Sequence, residues 1–124
     1  MPPVDVEKAR KNLDKRIAAK HKEYSLLWEK AVHDCSQIVK IIIAKYKPRR
    51  IYQWGSLLHK NYFNDSSDID IAVEGKFTPE EFFSMYEEAD SLTGFSLDIV
   101  DINKIEPVYA ESIRRKGKVV YEQK

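Results

Sequence analysis

The spacing of hydrophobic residues divides the chain near residue 48 into a helical first part and a mixed second part. From Asp5 to about Tyr46 there is no glycine or proline. Apolar residues recur there at steps of three, four or seven, the period of a helix, at Leu13, Ile17, Tyr24, Leu27, Ala31, Cys35, Ile38 and Ile42. Pro2-Pro3 followed by Asp5 supplies a helix start. We predict one long helix, or two helices with a break near Tyr24-Ser25, of which only the later, more apolar part belongs to the domain core.

After Pro48 the pattern changes to short strands alternating with helices. Strands are predicted over residues 50–54, 67–73, 96–102 and 119–121, and helices over residues 78–91 and 106–115. The second strand alternates cleanly, with Ile69, Ile71 and Val73 on one face and Asp68, Asp70 and Ala72 on the other. Thr78-Pro79-Glu80-Glu81 has the form of a capping box. The pattern predicts a small α/β or α+β sheet with helices packed on it, over residues 48–124, preceded by a helical arm over residues 1–47.

The composition indicates one water-soluble domain without a general attraction to nucleic acid or membrane. The 124 residues include 21 Lys or Arg and 20 Asp or Glu, a net charge of +1, so nucleic-acid binding would need a local basic patch and is not favoured. Cys35 is the single cysteine, which excludes an internal disulfide. The N-terminus lacks the apolar run of a signal peptide, and the longest apolar cluster, 41–44, is too short to span a bilayer. We predict a cytoplasmic protein with no membrane contact.

Two carboxylates define the most informative stretch, residues 55–73. Asp68 and Asp70 are two apart on a strand, so both project from one face. Like charges held side by side are unfavourable unless a cation neutralises them, and oxygen ligands of this hard type suit Mg²⁺. A solvated strand face with two ordinary aspartates is the alternative. Gly55-Ser56 directly follows an apolar strand, where exposed amides and a hydroxyl can contact phosphate oxygens, although such a pair is more often a plain turn.

A further aspartate interrupts the third predicted strand. Asp98 lies between Leu97 and Ile99, and a carboxylate within an apolar strand is costly unless it is paired or liganded. Alternation places Leu97 and Ile99 on the core face and Asp98 on the opposite face. Asp101 falls on the core face or at the strand end, where it can cap the following turn. Asp98 is therefore the preferred third carboxylate. Trp28, Trp54 and the Phe82-Phe83-Tyr86 group are assigned to core packing.

Together, Gly55-Ser56, Ser67-Asp68-Ile69-Asp70-Ile71 and Leu97-Asp98-Ile99-Val100 resemble the polymerase-β-type nucleotidyltransferase superfamily, and the short chain is similar to its minimal nucleotidyltransferases. The resemblance covers about residues 50–121. It implies a mixed sheet, with Gly55 and Ser56 contacting the triphosphate of an NTP, expected to be ATP. It also implies two Mg²⁺ ions bound by Asp68, Asp70 and Asp98, in an in-line displacement at the α-phosphorus.

The loop after Gly55-Ser56 departs from the family pattern. Members often carry an arginine and then a glycine there, whereas this chain has Leu57-Leu58-His59-Lys60-Asn61. His59 and Lys60 are candidates for the missing positive charge toward phosphate, and solvent-exposed loop residues are an equally good interpretation.

Two functions from different classes follow from the resemblance. Stand-alone minimal domains of this kind are commonly antitoxin partners of a HEPN-domain toxin, which some of them modify with AMP. The first function is therefore transfer of AMP to a hydroxyl group of such a partner. The alternative is a catalytically weak or inactive module that neutralises a partner through the N-terminal helix. The thin apolar stripe of that helix predicts a homodimer, a docking surface for another protein, or folding back onto its own domain.

Overall fold

The computed structural model describes residues 5–124, in which a four-stranded sheet is packed against three helices. The helices are α1 (Val6–Tyr46), α2 (Pro79–Asp90) and α3 (Pro107–Lys116), and the strands are β1 (Arg50–Trp54), β2 (Ile69–Glu74), β3 (Leu97–Asp101) and β4 (Lys118–Glu122). Two 3₁₀ turns, η1 (Gly55–Leu58) and η2 (Lys60–Tyr62), follow β1. The strand order is β3-β2-β1-β4, with β2 and β3 parallel and the other pairs antiparallel. The predicted α+β fold with a mixed sheet and a long N-terminal helix is confirmed.

The N-terminal segment is one continuous helix, so the predicted alternative of a break near Tyr24-Ser25 is wrong. Asp5 caps the helix, because its side chain accepts a hydrogen bond of 3.0 Å from the backbone N–H of Lys8. Pro2-Pro3 lies outside the described residues. The helix ends where Lys47 takes a left-handed conformation (φ 46°), immediately before Pro48.

The later half of α1 packs into the larger of two apolar clusters. Its buried residues lie against the side chains that alternate to one face of β2 and β3, including Ile69, Ile71, Val73, Leu97 and Ile99. Residues 5–23 are exposed throughout. The division of α1 into a core part and a projecting part therefore agrees with the prediction, while the domain boundary at residue 47 stays a prediction.

The smaller cluster lies on the opposite face of the sheet, under α3. It is formed by Tyr52, Ala72, Ile102, Ala110 and Ile113. Because Ala72 belongs to this cluster while its β2 neighbours Ile71 and Val73 belong to the larger one, the predicted alternation of β2 is confirmed.

Local signals in the second part fix the ends of its helices. Thr78 and Glu81 exchange the two hydrogen bonds of a capping box, each of 3.1 Å, so the predicted start of α2 is confirmed. Gly117 ends α3, as the sequence predicts. Within residues 5–124, no helix is both long enough and apolar enough to cross a membrane.

Candidate active site

The parallel pairing of β2 and β3 brings two of the predicted carboxylates side by side. Asp70 and Asp98 are register partners, so their side chains leave the same face of neighbouring strands. Asp68 stands just before β2, two residues from Asp70. Leu97 and Ile99 are buried in the larger cluster, which places Asp98 on the opposite face, as alternation predicts.

The electrostatics of Asp70 show that these carboxyl groups affect one another. Partial burial, followed by the negative charges of Asp68 and Asp98, raises the pKa of Asp70 to about 6. Asp68 and Asp98 are exposed, so Asp70 is the member that bears most of the desolvation. The cluster therefore concentrates negative charge that no ion pair within residues 5–124 neutralises.

Gly55 allows the backbone at the end of β1 to lie close to the Asp70 carboxylate. It adopts a positive φ of 80°, which side chains other than glycine rarely tolerate. A Cβ atom at this position would overlap the Asp70 carboxylate and lie 3.1 Å from its Cγ. Trp54, the residue before Gly55, is the register partner of Asp70 on β1. Because residue 55 has no side chain, there is room for the Asp70 carboxylate next to the first residue of η1.

A cavity of about 310 Å³ adjoins this opening, between η1 and α3. It is lined by Trp54, Gly55, Leu58, His59, Tyr109, Ser112, Ile113 and Lys116. Tyr109 links the cavity to the acidic cluster, because burial, with the charges of Asp98 and Asp70, raises the pKa of its hydroxyl. A larger cavity, of about 490 Å³, lies at the other end of the sheet beside Arg49 and Glu74 and does not include these carboxylates.

Trp54 carries a polar atom that the described residues leave without a partner. Its indole Nε1 is buried and makes no hydrogen bond among residues 5–124, although its ring packs edge-on against Tyr109 at 5.4 Å between centroids. A buried N–H group without a partner is unfavourable unless a ligand or water accepts from it. The assignment of Trp54 to the core was therefore incomplete, since the residue also lines the cavity and its N–H lacks a partner within residues 5–124.

Sequence reasoning also missed the contribution of α3. Tyr109, Ser112 and Lys116 follow one another at steps of three and four, which places them on one face of the helix. That spacing is visible in the sequence, but Lys116 stands in a basic run that reads as a solvated helix end. Only the packing of α3 beside Trp54 shows that this face lines the cavity.

The two candidate cations of the loop have different surroundings. His59 lines the cavity, whereas Lys60 contacts α1, where its Nζ lies 5.2 Å above the ring of Trp28. The indole of Trp28 also donates a 2.9 Å hydrogen bond to the carbonyl of Leu57, which ties η1 to α1. Lys60 therefore helps to fix the loop, and a direct role for it in nucleotide binding stays a prediction.

Asp101 has the structural role that the sequence allowed for it. It is buried at the end of β3, and its Oδ1 accepts a 3.0 Å hydrogen bond from the backbone N–H of Asn103. Its Oδ2 lies 3.9 Å from Lys104 Nζ. Asp101 thus caps the turn after β3, on the face away from Asp98.

The acidic cluster has the donor set that magnesium prefers. Across residues 5–124, no three His, Cys, Asp or Glu side chains are already arranged around a metal position. Magnesium does not require such a cage, because it takes one or two carboxylates and fills its other positions with water and substrate phosphates. The paired Asp70 and Asp98, with Asp68 nearby, fit an ion of that kind, and a bound cation would relieve the repulsion that raises the pKa of Asp70.

Structural comparison places the fold beside chains from toxin–antitoxin complexes. A chain of the MntA–HepT complex matches with a TM-score of 0.57 and 22% identity, covering 73% of this chain and 71% of that one. A tyrosine-to-alanine mutant of that complex gives 0.56 and 24%, covering 72% of each chain. A toxin–antitoxin structure with AMP-PNP gives 0.58 and 21%, covering 71% and 73%. At these identities the likeness shows the fold.

Sequence comparison identifies the family. Curated protein sequences give no significant match. The family model described as polymerase beta, nucleotidyltransferase, in contrast, matches residues 36–124, which is well over half of the chain and includes every residue of the acidic cluster and the cavity. The chain belongs to the polymerase-β nucleotidyltransferase family.

Proposed function

We propose that this chain transfers a nucleoside monophosphate, AMP from ATP in the expected case, to a hydroxyl group of a protein partner. The observation that carries the proposal is the register pairing of Asp70 with Asp98, beside the glycine that keeps Asp70 open. A non-catalytic strand face gains nothing from two adjacent carboxylates that repel each other.

Asp68, Asp70 and Asp98 are the residues that would hold magnesium. When bound, two such ions activate the attacking hydroxyl and stabilise the charge on the leaving pyrophosphate. In the reaction, the acceptor oxygen forms a bond to the α-phosphorus and the bond from that phosphorus to the bridging oxygen of pyrophosphate breaks. The acceptor proton passes to solvent.

The cavity beside Gly55 is the proposed nucleotide site. Trp54 and Tyr109 offer aromatic surface for the base or ribose, and the Trp54 Nε1–H needs an acceptor. His59 and Lys116 bring nitrogen donors to the cavity for the phosphates. Gly55 and Ser56 begin η1 next to Asp70, so their backbone is close to where the α-phosphate must lie for transfer.

A protein acceptor is the expected one because of the partners in the similar structures. Two of them are described as MntA–HepT toxin–antitoxin complexes, and another toxin–antitoxin structure contains AMP-PNP. At 21–24% identity their likeness shows only the fold. The partner of this chain, expected to be a HEPN-type toxin, therefore belongs to the proposal.

The test is incubation with ATP labelled at the α-phosphate, Mg²⁺ and the product of the adjacent gene. We expect label on the partner protein, lost in Asp68→Asn and in Asp70→Asn. Asp65→Asn is the matched control, because Asp65 is an exposed aspartate in the loop before β2. Omission of Mg²⁺ is expected to have the same effect as the two site variants.

Label transfer that survives in both site variants would show that the acidic cluster is not the active site. If no label is transferred while the partner still binds Asp70→Asn as tightly as the wild-type chain, the chain is the alternative, a binding module. If labelled ATP binds but no label is transferred to any protein, the proposed protein acceptor is overturned, while the cavity remains the proposed nucleotide site.

A further inference from the structure

The first five turns of α1 project from the domain and carry an apolar row. We call the segment Val6–Glu23 the arm. Val6, Leu13 and Ile17 are exposed by 72%, 55% and 59%, and they follow the same steps of seven and four that lead to the buried Ala31 and Cys35 of the same helix. The face that packs on the sheet thus continues beyond it with no covering residue among those described.

The arm is also strongly basic. It contains three acidic residues and seven basic ones, a net charge of +4, whereas the whole chain carries +1. Arg10 and Lys20 lie in the apolar row itself, because they follow Val6 and Ile17 by four and three residues. A surface that covers this row must therefore combine apolar and acidic side chains.

Such a surface is present on the domain, between α2 and the edge strand β3. A groove of about 370 Å³ is lined there by Pro79, Phe82, Phe83, Ile99, Val100, Asp101, Lys104 and Ile105. Phe83 is 75% exposed, so its predicted place in the core is wrong. Helix α2 has five acidic residues and no basic one. Glu80, Glu87 and Asp90 share the exposed face of Phe83, at steps of three and four, and form no ion pair within residues 5–124.

We propose that the arm of one copy docks on this groove, the α2–β3 groove, of a second copy, so that two chains exchange arms. Leu13 and Ile17 enter the groove, while Arg10 and Lys20 face Glu80 and Glu87. The arm does not reach the groove of its own chain, because α1 is continuous and residues 5–23 are exposed. The inference is independent of nucleotide transfer.

Pairing of the two arms with each other is disfavoured by charge. In an antiparallel pair of arms that places Leu13 opposite Ile17, Arg10 lies opposite Lys20. This follows because one arm runs forward as the other runs backward, so Arg10 is three residues before Leu13 and Lys20 is three residues after Ile17. Two segments of +4 would then lie together. In the exchange, the arm, with a net charge of +4, lies instead against α2, with a net charge of −5.

A two-fold exchange also lowers the contact area that each arm must supply. A standard interface buries about 1,600 Å² in total, and a two-fold exchange uses the same contact twice, so each arm and groove need to supply only about 800 Å². Because Ile99 and Val100 of the groove directly follow Asp98 in β3, the arm of the second copy would contact the strand that carries the third carboxylate.

A pair of charge-reversal variants tests the exchange. The arm variant is Arg10→Glu with Lys20→Glu, and the groove variant is Glu80→Lys with Glu87→Lys. Light scattering after gel filtration is expected to give about 29 kDa for the wild-type chain, twice the 14.5 kDa of one copy, and half that mass for each variant alone. An equimolar mixture of the two variants is expected to return to the dimer mass, because each reversed arm then meets a reversed groove.

Lys15→Glu with Lys22→Glu is the matched control, since these residues lie on the opposite face of the arm and make the same charge change. It is expected to remain dimeric. Circular dichroism of each variant confirms folding. A monomeric wild-type chain, a dimer that survives in either reversed variant, or a mixture that stays monomeric would each overturn the exchange, and the second result would point to pairing between arms.

Discussion

The two faces of the sheet are built from alternating residues of the same strands, yet they serve different purposes. On the face covered by α1 and α2, β2 and β3 present aliphatic side chains that are fully or almost fully buried. On the face shared with α3, the same strands present Asp70 and Asp98, and β1 ends in Trp54 with an indole N–H that has no acceptor within residues 5–124. One face thus holds the larger apolar cluster, and the other carries polar groups that are unfavourable without a counterion or a hydrogen-bond acceptor.

The largest expected effect is on catalysis, from the second face. Replacing Asp98 with Asn removes one negative charge from the cluster while preserving side-chain size, and we expect transfer of label to fall about 1,000-fold or more, roughly 4 kcal/mol of transition-state stabilisation. Because Asp98 is exposed, the melting temperature should change little. Ser96→Ala, the exposed residue two positions earlier on the same face, serves as control. Unchanged transfer by Asp98→Asn would remove this residue from the site.

The next effect is on stability, from the first face. Ile71 is fully buried, so Ile71→Ala is expected to lower the free energy of unfolding by about 3 kcal/mol through lost apolar contact and a cavity, and Ile71→Val by about 1 kcal/mol. Urea denaturation measures both. The specific activity of the folded fraction should stay near that of the wild type, and a loss of activity comparable to that of Asp98→Asn would contradict the division between the faces.

The two tryptophans give a smaller and more specific test. Trp28 donates its indole N–H to Leu57, whereas Trp54 has no acceptor within the described residues. Trp28→Phe should therefore lower the free energy of unfolding by about 1 kcal/mol. Trp54→Phe should leave stability unchanged and raise the KM for ATP about tenfold, with kcat within a factor of about two. A loss of stability in Trp54→Phe together with a raised KM in Trp28→Phe would contradict a nucleotide site beside Trp54.

The smallest effect is on the pH dependence of stability, through the ionisation of Asp70. The pKa of Asp70 is raised to about 6 in the folded chain, above the ordinary value of about 3.9, so its ionisation destabilises the fold. This destabilisation is absent below pH 4 and complete above pH 6. Without Mg²⁺, Asp70→Asn should be about 1 kcal/mol more stable than wild type at pH 7, allowing for screening by water, and equally stable at pH 4. Thermal melts at the two pH values measure this.

Most of the fold and the acidic residues could be predicted because they depend on local patterns. The alternation of β2 fixes which face Asp70 occupies, and the capping box at Thr78 fixes where α2 begins. The long helix was ambiguous because its charged half and its apolar half read as different elements. The sequence has no glycine or proline near Tyr24 that would end the helix, and in the structure the helix continues through this residue.

The remainder of the site could not be predicted, because it depends on packing between distant segments. Tyr109 and Lys116 line the cavity only because α3 returns to the side of β1, more than 50 residues away in sequence. Trp54 reads as a core residue, since its ring is apolar and the position of its Nε1 is decided by neighbours from α3. Lys60 contacts Trp28 for the same kind of reason, as α1 passes behind the loop.

The pairing of β4 with β1 closes a much longer connection than the pairing of β1 with β2. β1 reaches β2 through a connection of 14 residues (55–68) but reaches β4 only across 63 residues (55–117), which costs about 1 kcal/mol more loop entropy. In partial opening of the native state, β4 is therefore expected to separate before β2, and α3 to leave with it. Amide exchange in β4 would then report this opening of the sheet and of the cavity beside α3.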